Sequence, residues 1–196
     1  MNTRENILAA VLGNQPASTA LPDISGFTMD FEDTVSAYIA TFTGIGGMAG
    51  IIPDTSGVEP FVKEHFATTG RIVTTLPGLM GLAELYDAGA DPHSFDDVEL
   101  AIVSAVFAVA ENGAVWLTER EMGHRILPII CQHLLVLVAA ETIVPTMHEA
   151  YEKIGEDEYG FGLFIGGPSK TADIEQALVM GAHGPISMGV LVIQPK

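Results

Sequence analysis

The amino-acid sequence predicts an α/β fold, a largely parallel sheet with helices on both faces. Three observations carry this. Helical stripes alternate with short apolar runs along most of the chain. The longest runs, around Val98 to Ala110 and Leu134 to Ala140, are apolar at successive rather than alternate positions, as strands buried on both faces require. At 196 residues, 48% of them hydrophobic, the chain is long enough to bury one core. Polar interruptions keep those runs below the roughly 20 residues that span a bilayer, so they are read as strands and no membrane partner is expected. Residues 1–196 read as one domain, with 1–30 forming an N-terminal helix and an extended arm.

The first helix is capped by Thr3, carries Ile7, Leu8, Val11 and Leu12 on one face and ends at Gly13 and Pro16. Asn14 to Asp30 has a loop composition, with Pro16, Pro22 and Gly26, that could wander over the surface or across a second copy of the chain. Phe31, Val35, Tyr38, Ile39 and Phe42 line the next helix, and Gly44 stops it. A short strand at Met48 to Ile52 closes on Pro53; Ser56-Gly57-Val58-Glu59 reads as a capping box opening a helix with Phe61, Val62, His65 and Phe66 on its face. Strands follow at Arg71 to Leu76, Val98 to Ser104, near Ala114 to Leu117 and at Leu134 to Val138. A helix from Pro145 to Ile154, a strand at Phe161 to Ile165, a helix from Thr171 to Val179 and a strand at Val190 to Ile193 complete the chain, the last three as a βαβ unit.

Charge and cysteine content exclude several functions. Eight Lys and Arg against 25 Asp and Glu give a net charge of -17, so the positive footprint that binds a nucleic-acid backbone is missing. The single cysteine, Cys131, excludes an internal disulfide, a four-cysteine zinc site and a self-contained iron–sulfur cluster. Its apolar setting reads as a small buried residue. The N-terminus carries no secretory signal, and a cytoplasmic location is expected. His65, His93, His124, His133 and His148 lack zinc-ligand spacing, and no resident metal is expected. The acidic stretches at 87–99 and 156–158 lack the ligand alternation of a calcium loop and read as solvated surface.

Three segments could carry chemistry. Gly166-Gly167-Pro168-Ser169-Lys170-Thr171 leaves a strand and opens the expected helix, so backbone N–H groups, two hydroxyls and an ammonium converge where a small anion could sit. The alternative is a plain strand-to-helix turn, with Thr171 as cap and Asp173 and Glu175 complementing the helix dipole. His183, in Gly181-Ala182-His183-Gly184-Pro185, sits in a turn that leaves its imidazole free to exchange a proton. Glu111 follows an apolar run, where partial burial would raise its pKa and suit acid, base or nucleophile work; Asn112-Gly113 behind it is a hairpin signal. Gly44 to Gly50 is glycine-rich but follows a helix and precedes a strand, the reverse of a dinucleotide loop.

The blocks Gly167-Pro168-Ser169-Lys170-Thr171-Ala172-Asp173-Ile174-Glu175 and Gly181-Ala182-His183-Gly184-Pro185 closely resemble the C-terminal signature of the LUD-domain family, the LutC-like lactate-utilisation proteins. Ala110-Glu111-Asn112-Gly113 resembles that family's Ala-Glu-(Ser/Thr)-Gly block, with Asn112 departing from the usual hydroxyl residue. The resemblance implies a NagB/RpiA/CoA-transferase-like fold and a cluster-free component in the oxidation of L-lactate to pyruvate, with iron–sulfur clusters carried by partner proteins. The ligand expected is a small carboxylate or phosphorylated metabolite, held by Gly167, Pro168, Ser169, Lys170, Thr171, Asp173 and Gly184, with Glu111 and His183 as the catalytic candidates. Glu111-Asn112-Gly113 also resembles the Ser-Glu-Asn-Gly block of CoA-transferases, which would make Glu111 an acyl acceptor. A third expectation is a non-catalytic scaffold whose 14–30 arm holds a partner or makes a homodimer.

Overall fold

A computed structural model describes residues 2–24, 26–172 and 178–194. The chain runs through α1 (Thr3–Gly13), an irregular arm, α2 (Thr34–Gly44), β1 (Met48–Ile52), α3 (Val58–His65), β2 (Arg71–Thr74), β3 (Glu84–Leu85) and β4 (Val98–Ser104). It continues through β5 (Phe107–Ala108), β6 (Val115–Thr118), the short helices α4 (Glu119–Met122) and α5 (Leu127–Ile130), β7 (His133–Ala139) and α6 (Met147–Ile154). The last part holds β8 (Gly162–Ile165), β9 (Lys170–Ala172), β10 (Leu178–Met180) and β11 (Ser187–Ile193).

Six strands form one sheet in the order β1-β11-β7-β4-β2-β3, and every neighbouring pair is parallel. Such a sheet must bury both faces, which is why its central strands are apolar throughout. Ala101, Val103, Leu134, Val136, Val190 and Val192 face one side; Leu100, Ile102, Leu135, Leu137 and Leu191 face the other. Val58 and Val62 of α3 cover the second side. The first is covered by Tyr38 and Phe42 of α2 and by Ala108, Val115 and Leu117. The latter three belong to a separate antiparallel sheet, β5-β6-β8, whose outer face presses Phe107 and Trp116 onto Ala150 and Ile154 of α6. One face of the main sheet is therefore covered partly by a second sheet rather than by helices alone.

Tyr38 is fully buried, and its hydroxyl has no hydrogen-bond partner among the described residues. Desolvation pushes the phenol far above its ordinary range. An unsatisfied buried hydroxyl costs free energy that phenylalanine would not, so Tyr38→Phe is expected to raise stability by about 1 kcal/mol, read as a higher urea midpoint at unchanged m.

Five local expectations are corrected. The cap of α1 is Asn2, not Thr3: Glu5 N–H donates to the Asn2 side chain, Asn2 N–H donates back to the Glu5 carboxylate, both at 2.9 Å, and none of the helix is buried. The turn before α3 is capped by Asp54, which accepts from Ser56 N–H at 2.8 Å and leads a 3-10 turn, so no capping box forms at Ser56. Asn112-Gly113 does turn a hairpin between β5 and β6, but a wider one, closed by Val109 N–H donating to Ala114 O at 2.8 Å. The helix expected over Thr171 to Val179 is absent where the chain is described: Lys170–Ala172 and Leu178–Met180 pair as antiparallel strands, and 173–177 lie outside the described residues. β8 is likewise antiparallel to β6 in the small sheet, so the last elements do not form a βαβ unit.

Candidate functional site

β8 delivers the chain to Gly166 and Gly167 at the edge of the small sheet. Gly167 is buried at φ +79°, and a Cβ there would lie 3.3 Å from the Ile45 side chain, so the turn needs glycine both for its backbone and for the close approach. Ser169 N–H then donates to Pro185 O at 2.9 Å, and Gly181 N–H donates to Ser169 O at 3.1 Å. These bonds hold residues 169–172 extended and fold the 181–185 segment back over them. Gly184 stacks on Ser169, where an added Cβ would meet the serine Cβ at 3.3 Å.

The two segments thus share one cavity of about 390 Å³. Ser169, Lys170, Thr171 and His183 supply its polar wall, and Pro128, Ile129, Leu163 and Phe164 its apolar wall. It lies at the amino ends of β7 and β11, where Ile186 N–H donates to Gln132 O at 2.8 Å and Ser187 pairs in register with His133. His183 is exposed and also borders a second hollow of about 360 Å³, next to Cys131 and Gln132. Cys131 is buried, and desolvation pushes its thiol up to about 12, which leaves it an inert packing residue.

Charge distinguishes this cavity. In a chain with 25 acidic residues, no Asp or Glu lines it among the described residues, whereas one Lys, one His and two hydroxyls do. Such a wall can hold a carboxylate or phosphate without opposing charge. The Lys170 ammonium is already engaged by Ile45 O in the turn before β1, so it acts from a fixed position. That turn belongs to the glycine-rich 44–50 segment, and its part in the site has no signature in residue spacing. With β9 where a helix was expected, no helix N-terminus forms at Thr171, and binding rests on side chains and loop amides. Asp173 lies outside the described residues.

Glu111 is not part of this cavity. Its neighbour Asn112 approaches Gly166, but Glu111 itself is exposed, because the chain turns outward and pairs its N–H with Pro145 O at 3.0 Å. Its carboxylate accepts from Met147 N–H at 2.8 Å and so anchors the first turn of α6, beside the Thr146 cap. Glu111→Ala is therefore expected to lower stability by about 1 kcal/mol and Glu111→Gln by much less, measured by thermal unfolding. Phe27 of the arm stacks on His148 of the same turn, 6.2 Å between ring centroids.

Among the described residues no group of three or more His, Cys, Asp or Glu side chains converges as a metal site, and no helix is long and apolar enough to cross a membrane.

A parallel sheet with flanking helices and a polar cavity closed by Gly-Pro-Ser and His-Gly-Pro segments defines an α/β protein of the kind the two signature blocks announce. The LUD domain model matches residues 90–193, and the chain belongs to the LUD domain family. It is 29% identical over 181 residues to "Lactate utilization protein C" of Geobacillus kaustophilus, an alignment covering 85% of this chain and 73% of that protein. It is 31% identical over 119 residues to the protein of the same name from Oceanobacillus iheyensis, covering 57% of this chain and 46% of that one. The crystal structure of a DUF162 family protein from Deinococcus radiodurans shares the fold, with a TM-score of 0.64 at 16% identity over 82% of this chain and 96% of that one.

Proposed function

We propose that this LUD-domain chain is a cytoplasmic, cluster-free component of an L-lactate-oxidising system and binds a small carboxylate or phosphorylated metabolite in the Ser169–His183 cavity. The observation that carries this is the cavity wall, which holds no Asp or Glu among the described residues of a strongly acidic chain. Family membership and the lactate-utilisation relatives support the choice of a hydroxy acid. Ser169 and Thr171 hydroxyls donate to the bound anion, Lys170 supplies fixed positive charge, and His183 can take the hydroxyl proton as lactate becomes pyruvate. The Cα proton and the two electrons freed with it would go to partner proteins, whose iron–sulfur clusters would accept the electrons, since this chain's single thiol is buried. The sheet is proposed to be of the NagB/RpiA/CoA-transferase-like class, and the exposed arm to meet a partner or a second copy.

Reconstitution tests the proposal. Iron–sulfur partner proteins are expected to reduce an artificial acceptor with L-lactate only when the chain is present, and Ser169→Ala with His183→Ala is expected to remove the effect. Unchanged turnover when the chain is omitted would contradict it.

A further inference from the structure

A second cavity, of about 630 Å³, lies on the other side of the small sheet and is unused by the function proposed above. Its position follows from topology. The chain leaves β2 toward β3 at one edge of the main sheet, whereas from β4 it proceeds toward β7 and β11 on the other side. The carboxyl ends of the adjacent strands β2 and β4 therefore diverge, and crevices at such reversals are the usual ligand sites of open parallel sheets. Val106 and Phe107, which line the cavity, directly follow β4. Thr75, directly after β2, donates its hydroxyl to Glu121 O at 2.9 Å and so fixes another wall.

The chemistry of this cavity is opposite to that of the first. Tyr159, 37% exposed and edge-on to the indole at 5.4 Å, and the small exposed part of Trp116 form an aromatic wall over the buried Phe107. Four carboxylates line it against two cations. Two of the four are engaged within the fold: Glu121 accepts from the Thr118 N–H at 3.1 Å and from the Thr118 hydroxyl, and Glu119 pairs with Arg125. Asp157 and Glu158 have no ion pair or side-chain hydrogen bond among the described residues. Of the cations, Lys153 is held by Thr142 O at 3.2 Å and lies over the Phe107 ring, and Arg120 is exposed at the rim.

We infer that this cavity binds an organic ammonium with an apolar body, its charge facing Asp157 and Glu158 and its body against Tyr159 and the accessible edge of Trp116. An aromatic wall beside two carboxylates with no cation of their own attracts such cations. The ammonium can come from a free amine or from a lysine side chain of another protein.

Trp116 is the sole tryptophan and is 6% exposed, so its emission reports on this cavity directly. Titration with 2-phenylethylamine is expected to shift that emission saturably, and phenylacetate, the same body with the opposite charge, to leave it unchanged. The double variant Asp157→Asn, Glu158→Gln is expected to weaken the amine midpoint roughly tenfold at an unchanged melting temperature, since both side chains are exposed. A lysine-containing peptide is the second arm: a response to the free amine identifies a metabolite site, and a response to the peptide alone identifies a partner's side chain. Linear quenching without saturation by both probes, an equal response to phenylacetate, or a midpoint indifferent to the two substitutions overturns the inference.

Discussion

Phe42→Ala is expected to lower the free energy of unfolding by about 4 kcal/mol, the middle of the range for emptying a buried aromatic site. Phe42 is 0% exposed, stacks on Tyr38 at 5.8 Å and belongs to the core between α2 and the main sheet. Its ring also fills the space above Gly47, where any Cβ would fall 2.2 Å from it. That contact fixes the turn carrying Ile45 O, the acceptor for Lys170. Collapse around the missing ring is limited, because the rigid central strands line the other side of the cluster. Urea unfolding is expected to show a large fall in midpoint at unchanged m, and ligand affinity in the Ser169–His183 cavity is expected to weaken with it. A loss below about 1.5 kcal/mol would mean that this corner of the core is loosely packed.

The second large effect is expected at Gly113→Val, roughly 3 kcal/mol from a left-handed β-branched residue plus steric displacement. Gly113 adopts φ +73°, and a Cβ there would stand 3.1 Å from the Phe42 backbone Cα. A neighbouring side chain can rotate away; a helix backbone cannot. The hairpin would have to move off α2, carrying Ala114 O out of line with the Val109 N–H that donates to it. Thermal unfolding of Gly113→Val against Gly113→Ala separates the two causes, since alanine retains most of the backbone strain and less of the bulk.

The parallel sheet was legible because buried strands leave a plain record: Val98–Ser104 is a strand over the span its apolar run marks, and β7 exceeds its expected span by one residue at each end. The small sheet was not, since β5 has two residues and its partners are defined by distant pairings such as Trp116 with Phe164. Residues 171–179 misled for a different reason. Their Ala, Glu, Gln and Leu content favours a helix, but the described ends are held extended by the Ser169 bonds to Pro185 and Gly181, which propensity does not encode. The same bonds bring Ser169 and His183 to one cavity, so the residues of the site were readable from the motif while their meeting was not. Glu111 shows the converse: an apolar run preceded it, but a turn at its end put the carboxylate outside, on α6.

If the Ser169–His183 cavity holds a small carboxylate, L-lactate or pyruvate raises the melting temperature of the folded chain. At about a hundred times the dissociation constant, binding to the folded state alone adds about 2.7 kcal/mol, an easily measured rise. Wild-type protein is expected to show that rise with at least one of the two acids, and Ser169→Ala with His183→Ala is expected to lose it without unfolding. No rise in the wild type with either acid, or an undiminished rise in the double variant, would mean that this cavity does not hold a small carboxylate.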